Sequence, residues 1–395
     1  MLTRIEVQDF KSLQDVSVDL GLINVFIGAN GSGKTNLLEA IGFLSAVAGG
    51  RPDDQGMLRR GVRPAPVRLV PSSSAGRKEP DQFVLSASWG QGQESLRYTA
   101  EVAVPLGSDQ PWRYKPRYFQ NDTEITGPEV FVHGSQKQPV FSSWEESGSP
   151  PREIFREKLS DLGDYGVFAP TTPVLRGTET DMTQRRPVGL AGGQLPEAVD
   201  KLLDVRKGKL GTLDLDDLLE LLDWVDKIAI VPPSGEIVSP SVPTTRNIIR
   251  FTDRWMREGR NQLSAHDASE GALYLLFALV LALHPQSPRL FAIEHLDQAM
   301  HPRLARAATR LFCQQMLGAT PERQALLTTH NPLVLDGLDL RDDRIRLFAV
   351  ERDRQGATKV NRIPVSDEVL QATQEGLSLS NLWVMGRLGG VPDLF

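Results

Sequence analysis

One octapeptide in this chain has the residue types and the spacing to hold a polyphosphate. Gly28-Ala29-Asn30-Gly31-Ser32-Gly33-Lys34-Thr35 fits G-x-x-x-x-G-K-[ST] at every fixed position. Glycines let the backbone turn so that several N–H groups face one anion, and a following helix adds the positive end of its dipole. Lys34 is long enough to reach β- and γ-phosphates, and the Thr35 hydroxyl can ligate Mg²⁺. The chemistry implied is ATP binding with Mg²⁺, through Asn30, Gly31, Ser32, Gly33, Lys34, Thr35 and Asn36, with Thr35 as a metal ligand.

Such a loop needs a strand before it and a helix after it, and both are written in the sequence. Leu22 to Ile27 is nearly continuous apolar, as a strand buried on both faces would be. Leu37, Leu38, Ile41 and Leu44 fall at helical spacing, and Gly49-Gly50 ends the helix. Ahead of the loop, Ile5 and Val7, then Val16, Val18 and Leu20, alternate with polar residues as half-buried strands do. Residues 51–80 read as a loop and 82–145 as short strands with turns, Asn121-Asp122 between two of them. Residues 146–195 read as an irregular connector with a short helix near Arg152 to Leu162. Residues 196–228 read as helical, with Leu218, Leu219, Leu222 and Val225 on one face and Asp216, Asp217, Glu220 and Asp223 on the other. The rest predicts a helix from Ser269 to Leu283, a strand from Arg289 to Glu294, a helix from Pro302 to Met316, and strands from Gln324 to Thr328 and Arg344 to Val350. The fold class is α/β.

Composition bounds the partners. The chain has 395 residues, 40% apolar and 24% charged, with 44 Lys plus Arg against 50 Asp plus Glu, a net charge of −6. That excludes a generally basic nucleic-acid coat but not a local patch. The single cysteine, Cys313, can form neither an intrachain disulfide nor a cysteine zinc site. The N-terminus carries no secretory pattern. The apolar run Ala272–Leu283 is well short of the ~20 residues needed to cross a bilayer. A cytoplasmic protein without membrane contact is expected.

Four further segments follow in order. Phe10-Lys11-Ser12-Leu13 precedes the loop. Ala268-Ser269-Glu270-Gly271 opens the long apolar helix. Leu290-Phe291-Ala292-Ile293-Glu294-His295-Leu296-Asp297 ends a buried strand and leads to His301-Pro302. Leu326-Leu327-Thr328-Thr329-His330-Asn331-Pro332-Leu333 comes last. Over residues 1–48 and 263–337 the chain resembles the ABC-type ATPase heads of the RecF, structural-maintenance-of-chromosomes (SMC) and overcoming-lysogenisation-defect (OLD) group. It looks most like stand-alone bacterial AAA-family ATPases of the phage-defence type, and Gly192-Gly193-Gln194-Leu195-Pro196-Glu197 adds a weaker match.

The resemblance implies a P-loop NTPase with an ABC-like head: a mixed sheet flanked by helices, carrying a β-rich and helical insertion. Residues 1–100 would form the N-terminal lobe, 101–245 the insertion and 246–395 the C-terminal lobe. Ser269 and Gly271 would belong to the signature that closes the ATP site of a second protomer, so a homodimer or higher oligomer built as an ATP sandwich is implied. Glu294 would hold the Mg²⁺ shell, His330 would sense the γ-phosphate, and Phe10-Lys11-Ser12 would lie near the nucleotide. The group usually has Asp then Glu at the strand end, where this chain has Glu294-His295. His295 therefore stands where the water-polarising Glu is expected. A neutral histidine can act as a base near pH 7, or it can leave the site slow.

Other clusters have plainer readings. Glu294, His295, Asp297 and His301 read as the magnesium strand and its loop, since no second ligand pair with zinc spacing exists. Trp112 to Phe119 interleaves aromatic and basic residues and reads as an amphipathic strand before a base-stacking surface. Residues 51–78 hold seven basic and two acidic residues, open either to DNA contact or to solvent. About 230 residues separate Thr35 from Ser269 without sustained heptads, which excludes long coiled-coil arms. About 65 residues follow His330, too few for a two-metal nuclease domain. Three functions fit: an ATPase head that regulates a separate effector (nuclease or toxin) in anti-phage defence, an ATP-locked scaffold that does not hydrolyse, and a DNA-repair ATPase acting on DNA ends.

Overall fold

The computed structural model describes residues 1–63, 65–66, 69–72, 80–90, 95–105, 112–125, 152–364 and 377–390. Its centre is a six-stranded mixed sheet built from the most apolar segments. Gly166–Phe168, Leu290–Ile293, Gln324–Thr329, Ile23–Ile27 and Ile345–Arg352 lie side by side in parallel, and Thr358–Ile363 closes the edge antiparallel. Because the strands run the same way, the residues just past three of them, Gly28, Glu294 and His330, emerge at one end of the sheet. That end is where ligands bind in open parallel sheets.

Alternation along these strands feeds two cores. Ile23, Val25, Ile27, Phe291, Ile293, Ala325 and Leu327 face one core, and Phe26, Leu290, Ala292, Leu326 and Phe348 face the other. The second core is capped by a six-stranded antiparallel sheet in the order Leu13–Asp19, Leu2–Phe10, Gln82–Trp89, Leu96–Ala103, Arg113–Gln120, Thr123–Ile125. The phosphate-loop helix, Lys34–Ala48, is wedged between the two sheets, and every residue from Leu37 to Ala48 is buried. Its sequence shows one apolar stripe, but small residues elsewhere let other segments close over it: Gly42 lies against Val62 and Tyr165, and Ser45 accepts from Arg60 (2.7 Å). On the first core's face lies the helix Glu270–Leu283, buried from Gly271 to Ala282 against the helices Leu195–Leu202 and Pro302–Leu317. No helix among the described residues is long and apolar enough to cross a membrane.

The structure corrects the sequence reading in several places. The helical stretch expected over 196–228 stops at Leu202, because Gly208 and Gly211 take left-handed conformations (φ 62° and 61°) in a small sheet of Leu203–Asp204, Lys209–Leu210 and Leu213–Asp214. A helix resumes only over Leu215–Leu221, and Val225 opens a strand, Val225–Val231. That strand pairs antiparallel with Ile248–Asp253. A short helix, Asp54–Leu58, interrupts the expected loop, capped by the Asp53 carboxylate, which accepts from Gly56 N. Within the expected connector, Gly166–Phe168 joins the central sheet. The stretch 126–151, read as strand and connector, lies outside the described residues.

Other expectations agree with the structure. The hairpin turn Asn121-Asp122 has φ of 52° and 59°, the left-handed conformations that these residue types tolerate. Along Arg113–Gln120, Tyr114, Pro116 and Tyr118 are buried while Arg113 and Lys115 are exposed, the amphipathic strand. Cys313 is buried in its helix, and burial pushes its thiol up to about 12.

Candidate functional site

The phosphate loop is a backbone cradle. Gly28, Gly31 and Gly33 have φ of 154°, 75° and 110°. A side chain on Gly28 would strike the Val350 carbonyl at 2.1 Å, while the space outside Gly31 is open. Glycine is thus required at Gly28 by crowding and at Gly31 by backbone conformation. Among the described residues, the N–H groups of Gly31 and Gly33 have no acceptor, so both remain available to an anion.

Lys34 is buried, with its ammonium folded onto the loop and donating to the carbonyls of Gly28 (2.7 Å) and Ala29 (2.9 Å). Burial pushes it down to about 8, against the pull of Glu294. Incoming phosphates restore its charge, so binding in alkaline buffer takes up protons. The affinity for ATP is therefore expected to be highest below pH 8 and to fall as pH rises through about 8. Calorimetry in buffers of different ionisation enthalpy checks this. Lys34→Arg, which stays charged, should abolish the buffer dependence.

Four expected site residues converge here with Lys34. The Thr35 hydroxyl donates to the Glu294 carboxylate in a short contact. Glu294 is held at the end of its strand by its own N–H, which donates to Phe168 O (2.8 Å). A hydroxyl and a carboxylate beside a phosphate cradle are the hard oxygen donors that Mg²⁺ takes, so Thr35 and Glu294 fit the metal. His295 follows with φ 55°, and its N–H donates to Thr328 Oγ1 (3.0 Å). Its ring stacks on that of His330 (centroids 5.2 Å, 29° between planes), with Nε2 4.0 Å from Glu294 Oε1. Desolvation, then Lys34, then His295, push His330 down to about 4, against a hydrogen bond to the Gly28 backbone. His330 is therefore neutral at pH 7.

Ser269 and Gly271 are placed differently. Ser269 is exposed at the start of the Glu270–Leu283 helix, and its hydroxyl does not cap that helix. Gly271 is a packing position: a Cβ there would sit 3.1 Å from Leu304 and 3.2 Å from Ala299 O. It lets the helix lie against the loop that follows Glu294. Arg176 pairs with Glu270 (3.6 Å) and ties the same turn to the segment after Gly166–Phe168.

Lys11 and Ser12 divide their roles. Lys11 pairs with the fully buried Glu39 of the phosphate-loop helix, as does Arg63, and these cations hold the carboxyl below its usual range against burial. Ser12 instead reaches the loop, accepting from Asn36 Nδ2 (2.8 Å) and meeting Thr358 Oγ1 at 2.7 Å. Thr358 was not visible from sequence, since no local pattern links it to a loop 326 residues away. His301 is a helix cap whose Nδ1 accepts from Arg303 N (3.3 Å). Among residues 51–78, Arg60 is consumed structurally by Ser45, Gly56 and Gly163, and Arg63 by Glu39. Arg68, Arg77 and Lys78 lie outside the described residues.

Known proteins resemble this chain in sequence and in fold. Residues 1–57 match a family described as "AAA ATPase domain", and residues 212–336 one described as "AAA domain, putative AbiEii toxin, Type IV TA system". The "DNA replication and repair protein RecF" of Lactobacillus johnsonii is 39% identical over 203 residues, 47% of this chain and 52% of that protein. The RecF of Leifsonia xyli subsp. xyli is 41% identical over 123 residues, 30% of this chain and 29% of that protein. An SMC head solved bound to the C-winged helix domain of ScpA superposes with a TM-score of 0.53 at 12% identity, covering 94% of this chain and 99% of that one. Together these likenesses support an ABC-type ATPase head of the RecF and SMC group. The head spans about half or less of the length of the curated relatives it matches. Within it, the cradle, Lys34, Thr35, Glu294, His295 and His330 form one site at one end of the central sheet, and Ser269 stands apart on the surface.

Proposed function

We propose that this head binds ATP with Mg²⁺, pairs with a second copy around the nucleotide, and hydrolyses it slowly to switch a separate effector protein in anti-phage defence. The observation that carries this is the meeting of Thr35 with Glu294, near the stacked His295 and His330, beside a cradle whose Gly31 and Gly33 N–H groups have no acceptor among the described residues. The cradle and Lys34 hold the phosphates. Bound Mg²⁺ would neutralise charge building on the γ-phosphoryl group. Glu294 orders the water around that group, and His330 stands beside the loop as the residue that senses it. His295, with Nε2 4.0 Å from Glu294 Oε1, is the candidate base.

Exposed Ser269 at a helix start suits the γ-phosphate of a partner's ATP, since hydroxyl and helix N–H groups both donate to an anion. Light scattering is expected to show a dimer with ATP and a monomer without it, and Ser269→Arg to remain monomeric while still binding ATP. A dimer that forms equally without nucleotide, or with Ser269→Arg, would overturn the sandwich. The nucleotide retained on purified protein separates turnover from a locked scaffold: ADP supports turnover, and persistent ATP supports the scaffold.

A second reading, DNA-dependent ATPase, is favoured by one surface. Between Ile248–Asp253 and Gln262–Ser264, the Asp253 carboxylate accepts from Trp255 N (2.7 Å) and Met256 N (2.9 Å) and fixes a loop. That loop holds Trp255 out, 79% exposed, between exposed Arg254 and Arg257 and near exposed Arg260. An aromatic face among guanidinium groups suits bases and phosphates. DNA affinity that falls with salt and is lost in Trp255→Ala, with DNA-stimulated turnover, would favour this reading over the effector switch.

A further inference from the structure

We propose that Thr358 is a positioning residue that aims the phosphate loop at its ligand. The proposal rests on reading the loop as the ATP site. Thr358 is fully buried at the start of the edge strand, 326 residues from the loop, and it touches the loop twice over. Its Oγ1 lies 2.8 Å from the Ser32 carbonyl and 2.7 Å from Ser12 Oγ, and Ser12 Oγ lies 2.8 Å from Asn36 Nδ2. Its backbone N–H donates to Ser12 O (2.8 Å), which locks the two segments together.

The direction of each bond in this chain is determined. A carbonyl cannot donate, so the Thr358 hydroxyl donates to Ser32 O. Its proton is then used, and Ser12 must donate to it. Ser12 in turn accepts from the Asn36 amide. The relay therefore runs from Asn36 through Ser12 and Thr358 to Ser32, with each hydroxyl both donating and accepting.

The consequence falls on the peptide between Ser32 and Gly33. A planar trans peptide sets its C=O and N–H in opposite directions. Holding the Ser32 carbonyl inward on Thr358 turns the Gly33 N–H outward into the cradle, where it has no protein acceptor among the described residues. Gly33 is moulded to the same contact: a Cβ there would lie 2.1 Å from Thr358 Oγ1. Without the hydroxyl, this peptide is free to rotate and the cradle loses one aimed donor.

The test compares Thr358→Val, which keeps shape and loses the hydroxyl, with Thr358→Ser, which keeps it. Affinity for a fluorescent ATP analogue with Mg²⁺ is expected to fall about tenfold in Thr358→Val, the scale of one buried hydrogen bond. Thr358→Ser should stay within about twofold of wild type. Ser12→Ala breaks the same relay elsewhere, so Ser12→Ala with Thr358→Val should weaken binding by less than the product of the two single effects. Wild-type affinity in Thr358→Val would overturn the proposal. Amide exchange over residues 28–36, measured without nucleotide, decides the same point independently. It should quicken in Thr358→Val and not in Thr358→Ser, and unchanged exchange in Thr358→Val overturns the orienting role. If wild type binds no ATP, the nucleotide reading fails, while the exchange result still stands on its own.

Discussion

Glu294→Gln is expected to lower single-turnover ATP hydrolysis by about 100-fold or more, the scale on which one preorganised electrostatic group acts at a transition state. ATP binding should stay within a few-fold of wild type. The substitution keeps shape: the amide oxygen still accepts from Thr35, and the backbone N–H still reaches Phe168 O. What goes is the negative charge. Its loss affects hydrolysis more than binding, because binding is carried by the Gly31 and Gly33 N–H groups and by Lys34. One side effect has a definite sign. Glu294 raises the pKa of Lys34, so the variant's Lys34 should lose its proton at lower pH and the fall of ATP affinity should begin below pH 8. Phosphate release after rapid mixing, with light scattering on the same samples, checks the prediction. A long-lived ATP-bound dimer should accumulate. Turnover equal to wild type would remove Glu294 from the chemistry.

The parts of this site that the sequence displays are those set by short spacing. Gly28 to Thr35 is continuous, and Glu294 and His330 each follow a run of apolar residues that can only be a buried strand. Parallel packing then brings three separate strand ends together without further information. Thr358 was hidden for the opposite reason. Thr358-Lys-Val-Asn-Arg-Ile363 reads as an ordinary half-polar edge strand, and only the antiparallel return beside Ile345–Arg352 carries its first residue under the loop. The pairing of Lys11 with the buried Glu39, 28 residues on, is likewise recorded by no local spacing. The break after Leu202 rests on two glycines inside a leucine-rich stretch whose helical spacing is otherwise sound. Gly166–Phe168 is too short for any period to show. Burial all round Lys34–Ala48 depends on a second sheet whose strands lie as far on as residue 125, a tertiary fact that no local stripe records.

His295→Glu is expected to raise hydrolysis about 10- to 100-fold, the lower part of the range for a positioned general base. Position 295 directly follows the carboxylate proposed to hold Mg²⁺, and its backbone is pinned by Thr328. Its φ of 55° is left-handed, a conformation histidine already occupies, so glutamate adds little further strain. The native ring spends one face on His330 and lies 4.0 Å from Glu294, which fixes it against its neighbours instead of aiming it at an attacking water. A glutamate has no ring to stack and reaches past that position. The change has a second signature. His295 helps push His330 down to about 4, so replacing it with a carboxylate should move the His330 pKa up toward its ordinary value. NMR titration of the His330 ring reads that shift, and phosphate release reads the rate. A rise in both would show that the native site is damped by its histidine pair. A rate that falls while the His330 pKa rises would instead make His295 the working base, and the native head as fast as its chemistry permits.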